Sequence, residues 1–207
     1  MFTNSTLTTV VIVLVSMLIA IPFHEAMHGY VARLLGDRTA EFAGRLTLNP
    51  LKHVDIWTTI LLPAGLMLVG LPPIFIAKPV PFDPRNVKYE EFGAALVGLA
   101  GPFSNLLLAA VAALIFRVFG ASTDLLQNVF ATFIQVNVLL FVFNLIPLPP
   151  LDGSRLVYAF APEPVQRIMY QLETTNLGFI LLAILVFTGT LGPIISNVSN
   201  TIFNFLV

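Results

Sequence analysis

The chain has 207 residues, of which 10 are basic and 11 acidic. Charged residues make up 10% of it, against about 25% in soluble globular proteins, while 57% are hydrophobic and the mean hydropathy is +0.91. A chain this poor in charge cannot supply a polar surface, which excludes a soluble enzyme or a disordered regulator. The net charge of −1 offers no basic surface to nucleic acid, and the lack of cysteine excludes disulfides and thiolate metal sites. The composition indicates a polytopic membrane protein.

Five runs of the chain carry no charged side chain. They are residues 1–23, 56–77, 92–116, 125–151 and 174–207. Each reaches the roughly 20 residues that a helix needs to cross about 30 Å of hydrocarbon, and none shows the alternation of a membrane β-barrel. We therefore predict an all-α polytopic membrane protein with about five transmembrane helices, within a range of four to six. The last run contains Gly189, Gly192 and Pro193, so we expect one span with a bent tail there.

The first run is predicted to form a permanent helix over residues 7–35, ended by Gly36. It has no basic residues ahead of its apolar stretch, which argues against a cleaved signal peptide. In a five-span topology, Lys and Arg divide equally between the two sides, so the positive-inside rule does not select an orientation.

Two connections between the runs are informative. Residues 40–50, AEFAGRLTLNP, alternate in part and contain a glycine and an Asn-Pro breaker, which favours a small β-hairpin. Residues 77–84, AKPVPFDP, are too rich in proline for a helix or a central strand. We expect that segment to be extended, at the membrane interface or lining a cavity. With no repeat or soluble appendage visible, residues 1–207 are interpreted as one membrane-embedded domain.

The first helix carries the sequence His24-Glu25-Ala26-Met27-His28, an H-E-x-x-H motif. At about 100° per residue, the two histidines lie one turn apart on the same helix face. Such a pair can bind one Zn²⁺, and the glutamate between them can serve as general base to a water on that metal. The alternative is a pair of structural polar groups, but ionisable residues in a span are costly unless partnered or functional.

A third ligand is expected because catalytic zinc usually has three protein ligands and one open position. Asp152 follows the uncharged run 125–151, two positions after three prolines in four residues that must unwind the helix. The alternative role for Asp152 is the N-cap of a helix that begins near Gly153. His53 is a rival ligand, although its position beside the second run favours the interface, and Glu173 is also interpreted as interfacial.

These segments resemble the site-2 protease family of intramembrane zinc metalloproteases. The resemblance rests on HEAMH in an early apolar helix and NLIPLPPLDG, residues 144–153, at the end of a later one. GPFSN, residues 101–105, is a weaker match. The chain shows neither the PDZ-like insertion nor the nucleotide-binding regulatory domain of some branches, so it is similar to a compact branch.

The resemblance implies that His24, His28 and Asp152 bind one zinc ion and that Glu25 is the general base. It further implies that Asn144 holds the substrate backbone or the reacting carbonyl, and that Asn105 lines the site. Residues 42–50 look like the family's hairpin, whose edge would pair with an unwound substrate. The substrate would be a membrane-spanning protein, and the location a prokaryotic plasma membrane that the chain crosses several times.

Two other functions remain open at this level. A metal transporter or channel could use the same His, His and Asp side chains as a transit site, because intramembrane ionisable residues also mark ion pathways. A proteolytically inactive scaffold could simply bind membrane helices. Transit of an ion requires several binding sites along the path, whereas the predicted spans are otherwise nearly uncharged. An inactive scaffold would have no need of a general base at Glu25.

Overall fold

The computed structural model describes residues 4–53, 57, 61, 65 and 78–207, and within them the chain is helical. The α-helices, in chain order, are α1 (Asn4–Leu34), α2 (Thr39–Phe42), α3 (Glu90–Phe119), α4 (Asp124–Asn144), α5 (Gly153–Phe160), α6 (Glu163–Thr174), α7 (Leu177–Phe187) and α8 (Gly192–Leu206). Single turns of 3-10 helix occur at Pro50–Lys52 and Pro84–Asn86.

Helices α1, α3 and α4 pack on one another, α5 packs against α3, and α8 packs against α4 and α3. The interface of α3 with α4 is built from small residues of α3 facing branched residues of α4, which lets the helix backbones approach closely. Its buried members are Ala109, Ala112, Ala113, Ile134 and Val138. The three-helix arrangement brings the middle of α1 against α3, where the functional side chains lie.

Three helices are long and apolar enough to cross a membrane: Thr8–Leu34, Glu90–Phe119 and Asp124–Asn144. Their outer faces remain apolar, with Leu107 64% and Leu114 62% exposed, as lipid-facing side chains would be. Helices α6 and α7 qualify as a fourth span only when taken together, and they are bent by 82°. The helical membrane class is confirmed, with three or four candidate spans in the described part of the chain.

The count of about five spans is not supported by the part of the chain that the structure describes. The uncharged run 56–77 lies outside the described residues, apart from residues 57, 61 and 65. In the last run, the chain bends next to Gly189, as expected, and forms two short helices, α7 with 11 residues and α8 with 15. At 1.5 Å per residue, α7 rises only about 17 Å, which is too short to cross hydrocarbon alone.

The end of α1 is stopped at the predicted glycine. Gly36 adopts a φ of 112°, which favours glycine. Its N–H donates to Arg33 O at 3.1 Å, and the N–H of Asp37 donates to Ala32 O at 2.9 Å. These two bonds form a Schellman motif and turn the chain sharply after α1.

Asp37, just after α1, binds the extended segment of residues 78–83 through hydrogen bonds. Its fully buried carboxylate accepts hydrogen bonds from Thr39 N at 3.0 Å and from Asp83 N at 2.8 Å. The N–H of Lys88 also donates to Leu35 O at 2.8 Å. Residues 78–83 carry no helix or strand, as the proline content predicts, and these contacts place them alongside α1.

The predicted β-hairpin at residues 40–50 is wrong. This stretch contains the short helix α2 and turns, with no strand. Its backbone forms local hydrogen bonds, such as Arg45 N to Ala40 O at 2.9 Å, instead of bonds to a partner strand. Arg45 donates through Nη2 to Lys78 O at 2.6 Å and Pro79 O at 3.3 Å. Leu46 lies so close to Gly29 that a Cβ there would come within 2.5 Å of Leu46 Cδ2.

We expect Asp37→Asn to destabilise the protein by roughly 1.5–3 kcal/mol at neutral pH, because an amide cannot accept on both sides. Burial would raise the pKa of Asp37, but hydrogen bonds from Thr39, Asp83 and Asn86 outweigh it and lower the pKa. A lowered pKa in the folded state contributes stability above the ordinary value, and that contribution disappears as pH falls through the folded value. Thermal unfolding in detergent should therefore show that Asp37→Asn is less stable than the wild-type protein at pH 7, and that this difference in stability is smaller at about pH 3.

Asp124→Asn is the matched control for this measurement, since Asp124 is exposed at the start of α4. An Asp37→Asn penalty of the same size at both pH values would contradict an ionised carboxylate as the source of the stabilisation.

Candidate metal centre

His24 and His28 lie one turn apart on α1 and face the same point. Their rings meet edge to face, with centroids 4.7 Å apart. His24 Nε2 lies 3.1 Å and His28 Nε2 lies 3.4 Å from Asp152 Oδ2. One ligand atom from each of the three residues can be chosen so that all lie within 4.8 Å of one another. Two imidazole nitrogens and a carboxylate oxygen at this spacing could hold a metal ion.

The unwound segment after α4 delivers Asp152 to this point. Helix α4 ends at Asn144, and residues 145–152 form turns before α5 begins at Gly153. Asp152 occupies the N-cap position of α5, but its side chain makes no capping hydrogen bond. The carboxylate is therefore directed to the histidines instead of serving the capping role that its position allowed.

Gly153 is required by the tightness of this turn. A Cβ at that position would collide with the carbonyl group of Leu145. The backbone can fold back this closely only without a side chain, and the fold-back sets the direction from which Asp152 enters the site.

Helix α3 presents one face to both histidines through residues spaced four apart. His28 Nδ1 donates to Val97 O at 2.7 Å, and His24 Nδ1 donates to Asn105 Oδ1 at 2.7 Å. With each Nδ1 carrying the hydrogen, each Nε2 keeps a lone pair directed at Asp152. This arrangement is typical of metal-binding histidines, whose second ring nitrogen is held by a carbonyl or carboxylate.

Gly101 lies between Val97 and Asn105 on this face and leaves space beside the two Nε2 atoms. A Cβ on Gly101 would lie 2.6 Å from His24 Nε2 and still closer to His28 Nε2. The absence of a side chain on α3 therefore leaves room beside the nitrogens. The spacing of residues 97, 101 and 105 was visible in the sequence, but the facing helix was not.

Glu25 lies on the neighbouring face of α1 and is partly buried. Its Oε2 accepts a hydrogen bond from Val80 N at 2.8 Å. Because residues 79 and 81 are prolines, Val80 supplies the one backbone N–H of that triplet, and it is committed to Glu25. The extended segment thus orients the carboxylate that the motif predicts as a base.

Asn105 and Asn137 form a buried amide pair behind His24. Both side chains are fully buried, and Asn105 Nδ2 donates to Asn137 Oδ1 at 3.1 Å and to Ala20 O at 3.3 Å. Asn105 lies next to His24, and its amide oxygen accepts the hydrogen bond from His24 Nδ1. Asn137 was not singled out from the sequence, where it is one polar residue in an apolar helix.

His53, Asn144 and Glu173 do not join the cluster. His53 is buried, and its Nε2 donates to Thr47 O at 2.8 Å. Asn144 Nδ2 donates to Leu140 O, one turn back on its own helix, at 2.9 Å. Glu173 is half-exposed and accepts from Arg155 Nη2 at 3.1 Å. His53 as the rival metal ligand is therefore not supported by its position.

An open cavity of about 700 Å³ lies where the two proline-rich segments approach each other. Phe82 and Pro84 line it from the extended segment, and Pro149 from the unwound turn. Ser154 and Arg155, directly after Asp152, form another wall. The proline-rich segments thus line a cavity, as the sequence predicts, although His24, Glu25, His28 and Asp152 are not among its lining residues.

The fold and the cluster define a helical membrane protein with three side chains that could bind a metal ion. A family model described as "Peptidase family M50" matches residues 120–188. The chain is 37% identical over 182 residues to "Putative zinc metalloprotease YwhC" of Bacillus subtilis (strain 168), covering 84% of this chain and 79% of the relative. It is 29% identical over 190 residues to "Putative zinc metalloprotease Rip2" of Mycolicibacterium smegmatis, covering 87% and 68%.

The Rip2 protein of Mycobacterium tuberculosis (strain H37Rv) is 30% identical over 191 residues, which cover 84% of this chain and 67% of the relative. No solved structure matches the chain. The chain belongs to peptidase family M50, the site-2 protease family, and it is a metalloprotease.

Proposed function

We propose that this protein is an intramembrane zinc metalloprotease that hydrolyses peptide bonds of membrane-spanning proteins. In this proposal His24, His28 and Asp152 bind one zinc ion, and Glu25 is the general base. Residues 1–207 act as a single membrane-embedded domain that crosses a prokaryotic plasma membrane several times. The observation that carries it is the convergence of the two Nε2 atoms on Asp152, with each Nδ1 already held by α3.

The donor set suits zinc. Two neutral imidazoles and one carboxylate leave a fourth position open in tetrahedral coordination, as in catalytic zinc sites. Gly101 leaves the space beside the nitrogens free of a side chain. Zinc, when bound there, polarises a water molecule and the scissile carbonyl.

The side chains of this protein then handle the protons. Glu25 accepts a proton from the attacking water on the carboxylate oxygen that Val80 does not hold, and gives it to the nitrogen of the departing amine. The C–N bond of the peptide breaks as that nitrogen gains its proton. The Val80 N–H on Oε2 keeps the carboxylate oriented through both transfers.

Asn144 is proposed to hold the reacting carbonyl. Its Nδ2 has two hydrogens, and Leu140 O takes one of them, so the second remains for an oxyanion. The cavity between residues 82–84 and Pro149 would admit water to the site, since hydrolysis in apolar surroundings needs such a route.

A transport function is less well supported by the same features. Passage of an ion needs further sites along its path, and in the part of the chain that the structure describes, the cluster of His24, His28 and Asp152 is the single group of this kind. An inactive scaffold likewise leaves the oriented carboxylate of Glu25 without a role.

The proposal is tested with the purified full-length protein and a single-span reporter protein in detergent. We expect cleavage that a chelator abolishes and added Zn²⁺ restores, and one zinc per chain by elemental analysis. Asp152→Ala should lose both zinc and cleavage, whereas Asp124→Ala, an exposed acid at the start of α4, should keep both. Undiminished cleavage by zinc-free protein would overturn the proposed function.

A further inference from the structure

We propose that Asn137 is a positioning residue for the metal centre, acting through Asn105 to hold His24 in the tautomer that leaves Nε2 free. This inference rests on the proposed function and concerns a residue that touches neither the metal ligands' donor atoms nor the substrate. It is carried by a chain of hydrogen bonds from Asn137 through Asn105 to His24, in which a backbone carbonyl fixes the orientation of each asparagine amide.

The orientation of the Asn137 amide, on the inner face of α4, is the first step. Asn137 Nδ2 lies 2.9 Å from Phe133 O, one turn back on the same helix. A backbone carbonyl can only accept, so the nitrogen of this amide must face Phe133. The oxygen, Oδ1, is then the atom that faces Asn105, and it can only accept as well.

The same reasoning passes to Asn105. Its Nδ2 has two hydrogens, and two acceptors lie within reach: Asn137 Oδ1 at 3.1 Å and Ala20 O at 3.3 Å. A flipped amide would put oxygen against both acceptors and lose both bonds in a fully buried place. Asn105 Oδ1 is therefore held toward His24 Nδ1, at 2.7 Å.

An acceptor at Nδ1 requires the hydrogen to be on that nitrogen. His24 Nε2 then carries a lone pair, 3.1 Å from Asp152 Oδ2, where a metal ion needs it. The burial matters because no water competes for these groups: both amides are 0% exposed, between α1, α3 and α4. His28 needs no such relay, since its Nδ1 faces the acceptor Val97 O directly.

If the relay from Asn137 through Asn105 to His24 holds the tautomer, removing the Asn137 amide should weaken zinc binding. In Asn137→Leu, the side chain keeps its branching at Cγ and its number of heavy atoms, but Asn105 Nδ2 retains only Ala20 O as a partner. The Asn105 amide can then turn, so the other tautomer of His24 gains population. We expect the affinity for Zn²⁺ to fall about tenfold, the lower end of what a lost partner of a metal-binding histidine costs.

The experiment measures Zn²⁺ affinity of the full-length protein in detergent by competition with a chromophoric chelator, together with the Co²⁺ absorption spectrum. Asn137→Ser is the second variant, because it stays polar but is too short to reach Asn105. Asn128→Leu is the matched control, an exposed asparagine on the same helix. Thermal unfolding of the metal-free proteins separates a folding defect from a binding defect.

A double-mutant cycle decides whether Asn137 acts through Asn105. In an Asn105→Ala background, adding Asn137→Leu should leave the affinity within about twofold, since the relay is already broken. The proposal is supported if both Asn137 variants bind Zn²⁺ about tenfold more weakly, Asn128→Leu does not, and the effect vanishes in that background. Unchanged affinity in both variants, or an equal loss in the Asn105→Ala background, overturns it.

These outcomes are separate from those of the proposed function. A wild-type protein that binds no stoichiometric zinc overturns both. A wild-type protein that binds one zinc, with Asn137 variants that bind it equally well, overturns the role of Asn137 and leaves the metalloprotease intact.

Discussion

Glu25→Gln is expected to lower the rate of peptide hydrolysis by about 10²–10⁴-fold while leaving the zinc content unchanged, because general acid–base catalysis contributes about that much. Glutamine has nearly the shape of glutamate, and its amide oxygen can still accept the hydrogen bond from Val80 N. It cannot take up a proton at neutral pH, so the water loses its base and the departing amine loses its acid. Binding of the substrate should change little.

The measurement is the turnover of a membrane-spanning reporter, with zinc quantified in the same preparation. Glu163→Gln is a matched control, because Glu163 lies on the surface in an ion pair with Arg167. Full activity of Glu25→Gln with zinc bound would show that another group serves as the base.

Gly101→Ala is the second change with a large expected effect, on metal binding and therefore on activity. The added Cβ would lie 2.6 Å from His24 Nε2 and closer to His28 Nε2. The rings can relieve this contact only by turning away, and turning breaks their Nδ1 bonds to Asn105 and Val97. We expect Zn²⁺ affinity to fall by more than about 100-fold, beyond the usual cost of one lost partner of a metal-binding histidine.

Gly101→Ala also allows the effect on zinc binding to be distinguished from an effect on the stability of α3. Alanine is intrinsically more helix-favouring than glycine by about 1 kcal/mol, whereas a Cβ directly before Pro102 disfavours the helical conformation. Both effects act on the stability of α3, which thermal unfolding of the metal-free protein measures apart from zinc binding. Zinc affinity and thermal unfolding of the metal-free protein should therefore change independently. Gly192→Ala, at the first turn of α8 where a Cβ meets no atom within 4 Å, is the control. Wild-type zinc affinity in Gly101→Ala would contradict the space assigned to this position.

Much of the fold followed from where charge is missing. Runs without charged residues predicted the membrane class and, within a few residues, the helices α1, α3 and α4. Gly36 marked the end of α1 because a left-handed C-cap has a strong local preference for glycine. These features depend on composition and on neighbours within one helical turn, which a sequence displays directly.

One expectation depended on contacts that are distant in the chain, and it failed for that reason. The alternation in residues 40–50 favours a strand, but the backbone there bonds locally, and Arg45 Nη2 donates to the carbonyls of residues 78 and 79. In the final uncharged run the helix ends next to Gly189, where a bend was expected, but the packing of α8 against α4 could not be foreseen. Periodicity records which side chains alternate, but not what they meet.

By itself, the sequence determined the membrane class, the helical pair His24 and His28 with Glu25 between them, and a proline-broken turn ending in Asp152. Those features are local, because helix pitch and proline geometry act within a few residues. Only the tertiary structure decided that Asp152 faces the histidines, that Gly101 leaves space beside them, and that Asn105 and Asn137 stand behind His24. Those relations join helices up to 128 residues apart, and they exist only once α1, α3 and α4 pack together.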